Sequence, residues 1–171
     1  LDGKIKPVRG VLSMVLAMAK HGLTRCFLPE ENAAEGVAAD CMEIIKIRNL
    51  QEVAGLLNEP EKICAEGAAD TSTPDTAYRV DFSEVNGQKL MRRATEVAVA
   101  GGHNLLYIGP PGSGKSMMAR RIPTIMPALS REEQLEVSKV YSICGMLPEG
   151  HALVGTRPYR APHHTISAQA L

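Results

Sequence analysis

No stretch of this sequence is apolar for anything near the roughly 18 residues that a membrane-spanning helix needs, and no signal peptide is visible. Four cysteines, Cys26, Cys41, Cys64 and Cys144, stand far apart with no C-x-x-C pair among them. That spacing excludes a zinc ribbon, argues against a disulfide framework, and points to a reducing, cytoplasmic setting. Charge of one sign is also missing: the formal net charge is zero, so no bulk attraction to nucleic acid or to a membrane surface is implied. No aspartate occurs after Asp81, which removes the commonest magnesium-binding carboxylate from the second half of the chain. What remains is the balance of a globular protein, 44% hydrophobic and 22% charged over 171 residues, without internal repeats. The chain opens at Leu1 in a strand-like pattern and stops at Leu171 with no terminating signal, and so reads as a piece of something longer.

The most informative stretch is Asn104 to Ser116, NLLYIGPPGSGKS. A short apolar strand, Leu105 to Ile108, is predicted to run into Gly109-Pro110-Pro111-Gly112-Ser113-Gly114-Lys115-Ser116, which fits G-x-x-x-x-G-K-[ST] in a strand–loop–helix setting. Glycines let main-chain N–H groups approach phosphate oxygens at a helix start. Lys115 supplies a positive charge for the terminal phosphates, and the Ser116 hydroxyl suits Mg²⁺. The candidate nucleotide-binding residues are therefore Gly109, Pro110, Pro111, Gly112, Ser113, Gly114, Lys115, Ser116 and Met117, with Ser116 as the metal ligand. ATP or ADP with Mg²⁺ is the expected ligand.

Before this stretch, Asp2-Gly3 predicts a hairpin over residues 1–5. Apolar spacing predicts a helix from Gly10 to His21 closed by Gly22, a strand over Thr24–Leu28, and a short helix opening at Pro29-Glu30-Glu31-Asn32. A second strand follows over Met42–Ile47, then a helix from Asn49 to Leu57 with Glu52 placed for a capping box. Helix, strand, helix, strand, helix implies an α/β layer arrangement for residues 1–58. Residues 59–79 lose periodicity and read as a linker. A helix over Asn86–Ala100 ends at Gly101-Gly102. Beyond the loop, Ser116–Ile122 is helical until Pro123 interrupts it, Ser130 and Glu133 form a capping box for a helix to Cys144, and Gly145 onward is loop.

Asp81-Phe82, Val85-x-Gly87-Gln88, Ala98-x-Ala100-Gly101-Gly102-His103-Asn104-Leu105-Leu106, the loop itself, and Arg157-Pro158-Tyr159-Arg160-Ala161-Pro162-His163-His164-Thr165-Ile166-Ser167 together resemble the AAA+ core of the magnesium-chelatase-related ATPases of the ComM/YifB type. Leu1-Asp2-Gly3-x-Ile5-x-Pro7-Val8-Arg9-Gly10-Val11-Leu12 and Leu28-Pro29-x-Glu31-Asn32 resemble the end of the Lon-protease-type domain that precedes that core. The resemblance implies an α/β chain: residues 1–58 the C-terminal part of a degenerate Lon-like domain, and residues 80–171 the N-terminal part of a P-loop NTPase parallel-sheet domain, cut before Walker B. It further implies that the parent is a homo-hexameric, ATP-driven motor that remodels DNA, with no membrane partner. The alternatives it leaves open are a chelatase-type subunit driving metal insertion into a tetrapyrrole and a nucleotide-dependent regulatory protein.

Two departures limit that expectation. The Lon-type lysine position falls on Leu12, which cannot act as a base, and Lys20 lies two turns away, so no proteolysis is expected. Past the loop the only acids are Glu132, Glu133, Glu136 and Glu149, none of them following an apolar strand as Walker B requires. Nucleotide binding without hydrolysis is expected, and no catalytic residue is assigned. Adjacent His163 and His164 point apart in an extended segment and make no metal pair; by resemblance they precede a substrate-facing insertion. A structural hydrogen bond is expected for His103. Arg120 and Arg121 read as surface or intersubunit groups.

Overall fold

The computed structural model describes residues 3–59, 61, 63–65, 78–147 and 151–162. Its helices are α1 (Val11–Lys20), α2 (Ala33–Ala38), α3 (Leu50–Asn58), α4 (Lys89–Ala100), α5 (Lys115–Arg121) and α6 (Arg131–Cys144), and its strands are β1 (Arg25–Pro29) and β2 (Glu43–Ile47). The chain forms two compact units, one of residues 1–75 and 129–155, the other of residues 76–128 and 156–171. Packing thus divides the chain differently from a boundary at residues 59–79: α6 and the segment after it belong with the N-terminal elements. Most of the 59–79 segment, together with His163, His164 and Glu149, lies outside the described residues.

In the first unit β1 and β2 pair in parallel, Cys26 opposite Ile44 and Leu28 opposite Lys46, with α2 in the connection, as parallel strands require a crossover. Gly36 lets α2 lie close to this sheet, since a Cβ there would come within 2.3 Å of Leu28 Cδ1. Val11, Leu12 and Val15 on α1 are fully buried with Leu28, Ala38, Ile44 and Leu153; each large aliphatic side chain so buried contributes about 1.5–3 kcal/mol. Of the hairpin expected over residues 1–5, Leu1 and Asp2 lie outside the described residues, and Gly3 to Ile5 pair at long range. Ile5 N–H donates to Arg48 O at 3.0 Å and Leu50 N–H to Gly3 O at 2.9 Å, an antiparallel bridge of Lys4 with Asn49 formed by the residues that follow β2 and open α3. Asn49 caps α3 by accepting from Glu52 N–H at 2.9 Å. The Glu52 carboxylate reaches Arg48 N–H at 2.7 Å rather than the cap residue's own N–H. The box at α6 is complete, Ser130 and Glu133 each accepting from the other's main chain.

The second unit has a smaller core of Phe82, Val85 and Met118, with Met91, Tyr107 and Ile125 against it. Pro123 ends α5 as its missing N–H dictates, and the chain continues as a 3-10 turn, Ile122–Ile125. The predicted strand Leu105–Ile108 is a correction. No ladder forms there among the described residues, and Leu106 and Ile108 are 80% and 88% exposed. An extended segment becomes a strand only when a neighbour takes up its N–H and C=O groups, and this unit offers none among the described residues. The parallel sheet expected there is therefore absent from them; the only sheet described is β1–β2. At the coarser level the chain is α/β with a small parallel sheet.

Candidate functional site

The glycine-rich loop leaves the extended segment at Gly109, turns at Pro111-Gly112, and enters α5 at Lys115. Gly112 (φ 79°) and Gly114 (φ 85°) occupy left-handed conformations that cost a side-chain-bearing residue about 1–2 kcal/mol, and so the turn needs glycine at both. Gly114 is the residue preceding α5, and its carbonyl accepts from Met118 N–H at 2.9 Å. Lys115 Nζ folds back over the loop. It donates to Gly109 O at 2.8 Å, to Pro110 O at 2.7 Å and to Ser113 Oγ at 3.2 Å. All nine predicted residues, Gly109 to Met117, thus lie in one contiguous turn-and-helix start, with Ser116 exposed beside the lysine in the first turn of α5.

Sequence reasoning did not find the group that ties α5 to the turn at Phe82–Glu84. Arg121, placed on the surface by its position, has a side chain only 15% exposed. It donates to Asp81 O at 3.1 Å, to Met117 O at 3.2 Å and to the Glu84 carboxylate at 2.5 Å. Thr124 Oγ1 accepts from Phe82 N–H at 3.1 Å. Asp81 caps the 3-10 turn Phe82–Glu84, and its carboxyl is held below the usual aspartate range by the side chain and then the N–H of Ser83, with a smaller pull from Arg121. Tyr107 OH lies 2.6 Å from Thr95 Oγ1 of α4, which fixes the segment feeding the loop. Only the four-residue step from Met117 to Arg121 along α5, a helix-face spacing, hinted at any of this.

His103 is held by its main chain, N–H to Ala98 O at 2.8 Å, and the described contact of its ring is with Gly101. In the first unit Leu12 is fully buried, and its N–H donates to Glu35 Oε1 at 2.7 Å. Nothing at that position can accept a proton from a nucleophile. Burial pushes the Cys26 thiol up, and burial with Asp40 does the same to Cys41, the opposite of what a thiolate nucleophile needs. No cluster of three or more His, Cys, Asp or Glu able to hold a metal occurs among the described residues, and no described helix is long and apolar enough to cross a membrane.

Residues 81–171 match the family model of magnesium chelatase, subunit ChlI. The chain belongs to the magnesium-chelatase-related family. Over its whole length it is 33% identical to the competence protein ComM of Haemophilus influenzae and 34% identical to YifB of Escherichia coli. It is 38% identical to an uncharacterised protein of Mycobacterium tuberculosis. The chain spans about a third of the length of these relatives, 34%, 33% and 34% in turn.

Proposed function

We propose that the chain binds ATP or ADP at Gly109–Met117, and that the protein to which it belongs is a cytoplasmic ATP-driven motor acting on DNA. What supports the first part is the position of Lys115. Its ammonium is gathered over the mouth of the turn by two loop carbonyls and Ser113 Oγ, where an incoming phosphate would exchange weak neutral partners for a charge-assisted one. Gly112 and Gly114 leave the main chain bare on the same turn. The N–H groups opening α5 would cradle phosphate oxygens. The exposed Ser116 hydroxyl would hold Mg²⁺, which when bound neutralises phosphate charge. Arg121 would keep α5 in register with Asp81 and Glu84 while the ligand exchanges.

The second part rests on likeness to ComM and on the family. A hexameric ring and DNA as partner belong to that proposal. A chelatase-type motor is the other reading, and the family description favours it no less than the first. Residues 1–58, on this reading, are the Lon-type segment. Titration calorimetry with Mg²⁺·ADP on the chain and on Lys115→Ala tests the binding site: the variant should bind at least about 10-fold more weakly, the loss of one charge-assisted contact. Equal affinities would refute the site. Salt-sensitive, nucleotide-stimulated DNA binding by the whole protein would separate a DNA motor from a chelatase.

A further inference from the structure

The chain holds five asparagines, Asn32, Asn49, Asn58, Asn86 and Asn104, and the fold treats one of them differently from the rest. Asn32 is buried, with its side chain engaged by both the N–H and the carbonyl of Val8. Asn49 caps α3, accepting from Glu52 N–H and donating to the Glu52 carboxylate. The main-chain N–H that follows Asn32, Asn49 and Asn58 is taken in each case: Ala33 donates to Glu30 O, Leu50 to Gly3 O and Glu59 to Gly55 O. Asn104 is followed by Leu105, whose side chain hinders attack by its own nitrogen. Asn86 differs on every count. It is exposed, the next residue is glycine, and its amide makes one long contact, Nδ2 to Glu84 O at 3.4 Å. Gly87 N–H has no acceptor among the described residues, and a Cβ built at Gly87 would meet nothing within 4 Å.

From these contrasts we propose that Asn86-Gly87 is a self-modification site, at which water converts the amide to a carboxylate by way of a cyclic imide. The Gly87 nitrogen gives its proton to solvent hydroxide and attacks Asn86 Cγ. The new Cγ–N bond forms as the Cγ–Nδ2 bond breaks, and Nδ2 leaves as ammonia with a proton from water. A water molecule then opens the five-membered ring at either carbonyl. Attack at Cγ restores the main chain and leaves aspartate. Attack at the α-carbonyl breaks the original peptide bond and leaves isoaspartate, whose main chain runs through Cγ. One water is consumed overall, and nothing is oxidised or reduced. Glycine permits the closure because no Cβ obstructs the approach and its main chain turns readily. Either product takes the formal net charge from zero to minus one.

The two products act differently on α4. Val85 is buried, its carbonyl accepts from the Arg92 guanidinium at 3.4 Å, and Arg92 lies 5.4 Å from the centre of the Phe82 ring. One end of the segment is thereby fixed, and the other enters α4 through Gln88, left-handed at φ 46°. Aspartate keeps that path, and its charge suits a helix start with no acid in its first turn. Isoaspartate lengthens the path by one main-chain carbon, so the first turn of α4 must shift.

Ageing the full chain at mildly alkaline pH, with mass spectrometry of the tryptic peptide 80–89, tests the site. That peptide should gain about one mass unit, hydroxyl for amino, localised to residue 86 by fragmentation and preceded by a form that has lost ammonia. Folded chain and synthetic peptide should convert at rates within about 10-fold of each other, the factor that about 1.4 kcal/mol of restraint would impose. Asn32, Asn49 and Asn104 should stay intact over the same time, and Asn86→Gln should abolish the change. Hydrogen exchange in the first turn of α4 should be faster in the aged chain than in fresh Asn86→Asp, which carries the charge without the extra carbon. Conversion slower than the peptide by more than that factor, or no faster than at Asn104, overturns the site. Equal exchange in aged chain and Asn86→Asp overturns the effect on α4.

Discussion

At the scale of single residues, two charged groups hold the candidate site, and they do different work. Lys115 has only neutral partners, two carbonyls and a hydroxyl, which the proposed phosphate would displace. Arg121 is committed to the protein, with a carboxylate and two carbonyls on its guanidinium. Beside it, Asp81 makes the site sensitive to acid. Its carboxyl is depressed by Ser83 and Arg121, so the stabilisation is fully present above the ordinary aspartate value of about 3.9 and is lost as pH falls through the lower folded value. Asp81 is exposed, so the effect should be small and screened by salt. Carbon-13 NMR should show the Asp81 carboxyl titrating below a model aspartate. Asp81→Asn should flatten the acid limb of stability between pH 5 and pH 2; an unchanged limb would mean the carboxylate contributes nothing there.

At the scale of elements, α1 has no side-chain cap of its own, because Gly10 precedes it. The cap comes from another element: the Glu35 carboxylate of α2 accepts from Leu12 N–H, while Ser142 of α6 and Asn32 donate to it as well. Negative charge at that helix end is also favoured by the dipole. Glu35→Ala leaves a buried N–H and a buried hydroxyl without their acceptor, so urea unfolding should show a loss of about 2–4 kcal/mol. Glu35→Gln, which retains one acceptor oxygen, should lose less. Equal stability of Glu35→Ala and wild type would remove Glu35 from the account of how α1, α2 and α6 are held. A different element, Leu105–Ile108, shows what a sequence pattern leaves open: its residues favour a strand, but its state depends on partners.

At the scale of the whole molecule, the nucleotide binding proposed for the loop does not by itself imply cleavage. Phosphoryl transfer to water requires the metal to be held from a second side and the water to be oriented. No aspartate follows Asp81. The described glutamates beyond the loop, Glu132, Glu133 and Glu136, all sit on the helix α6, and none follows an apolar strand as a Walker B acid would. A phosphate-release assay at micromolar chain should therefore find no ATP turnover above background. Turnover near one per second, abolished by Lys115→Ala, would show that a carboxylate within these residues activates water.

Local chemistry made much of this legible in advance. The α1 and α6 helices, the β1 and β2 strands, the Ser130–Glu133 box, the break at Pro123 and the loop residues from Gly109 to Ser116 follow from apolar period, cap residues and glycine spacing, which act within a few residues of chain. The family, too, was carried by short motifs. Tertiary structure alone decided which distant groups meet: Ile5 with Arg48, Glu35 with α1 and α6, Arg121 with Asp81 and Glu84, and α6 with the N-terminal elements. These pairings join residues tens of positions apart, and sequence period sets which face of an element is apolar but not which other face covers it. For the same reason Leu105–Ile108 carries a strand's composition without its ladder, since main-chain hydrogen bonding belongs to a pair of segments and is specified by neither one alone.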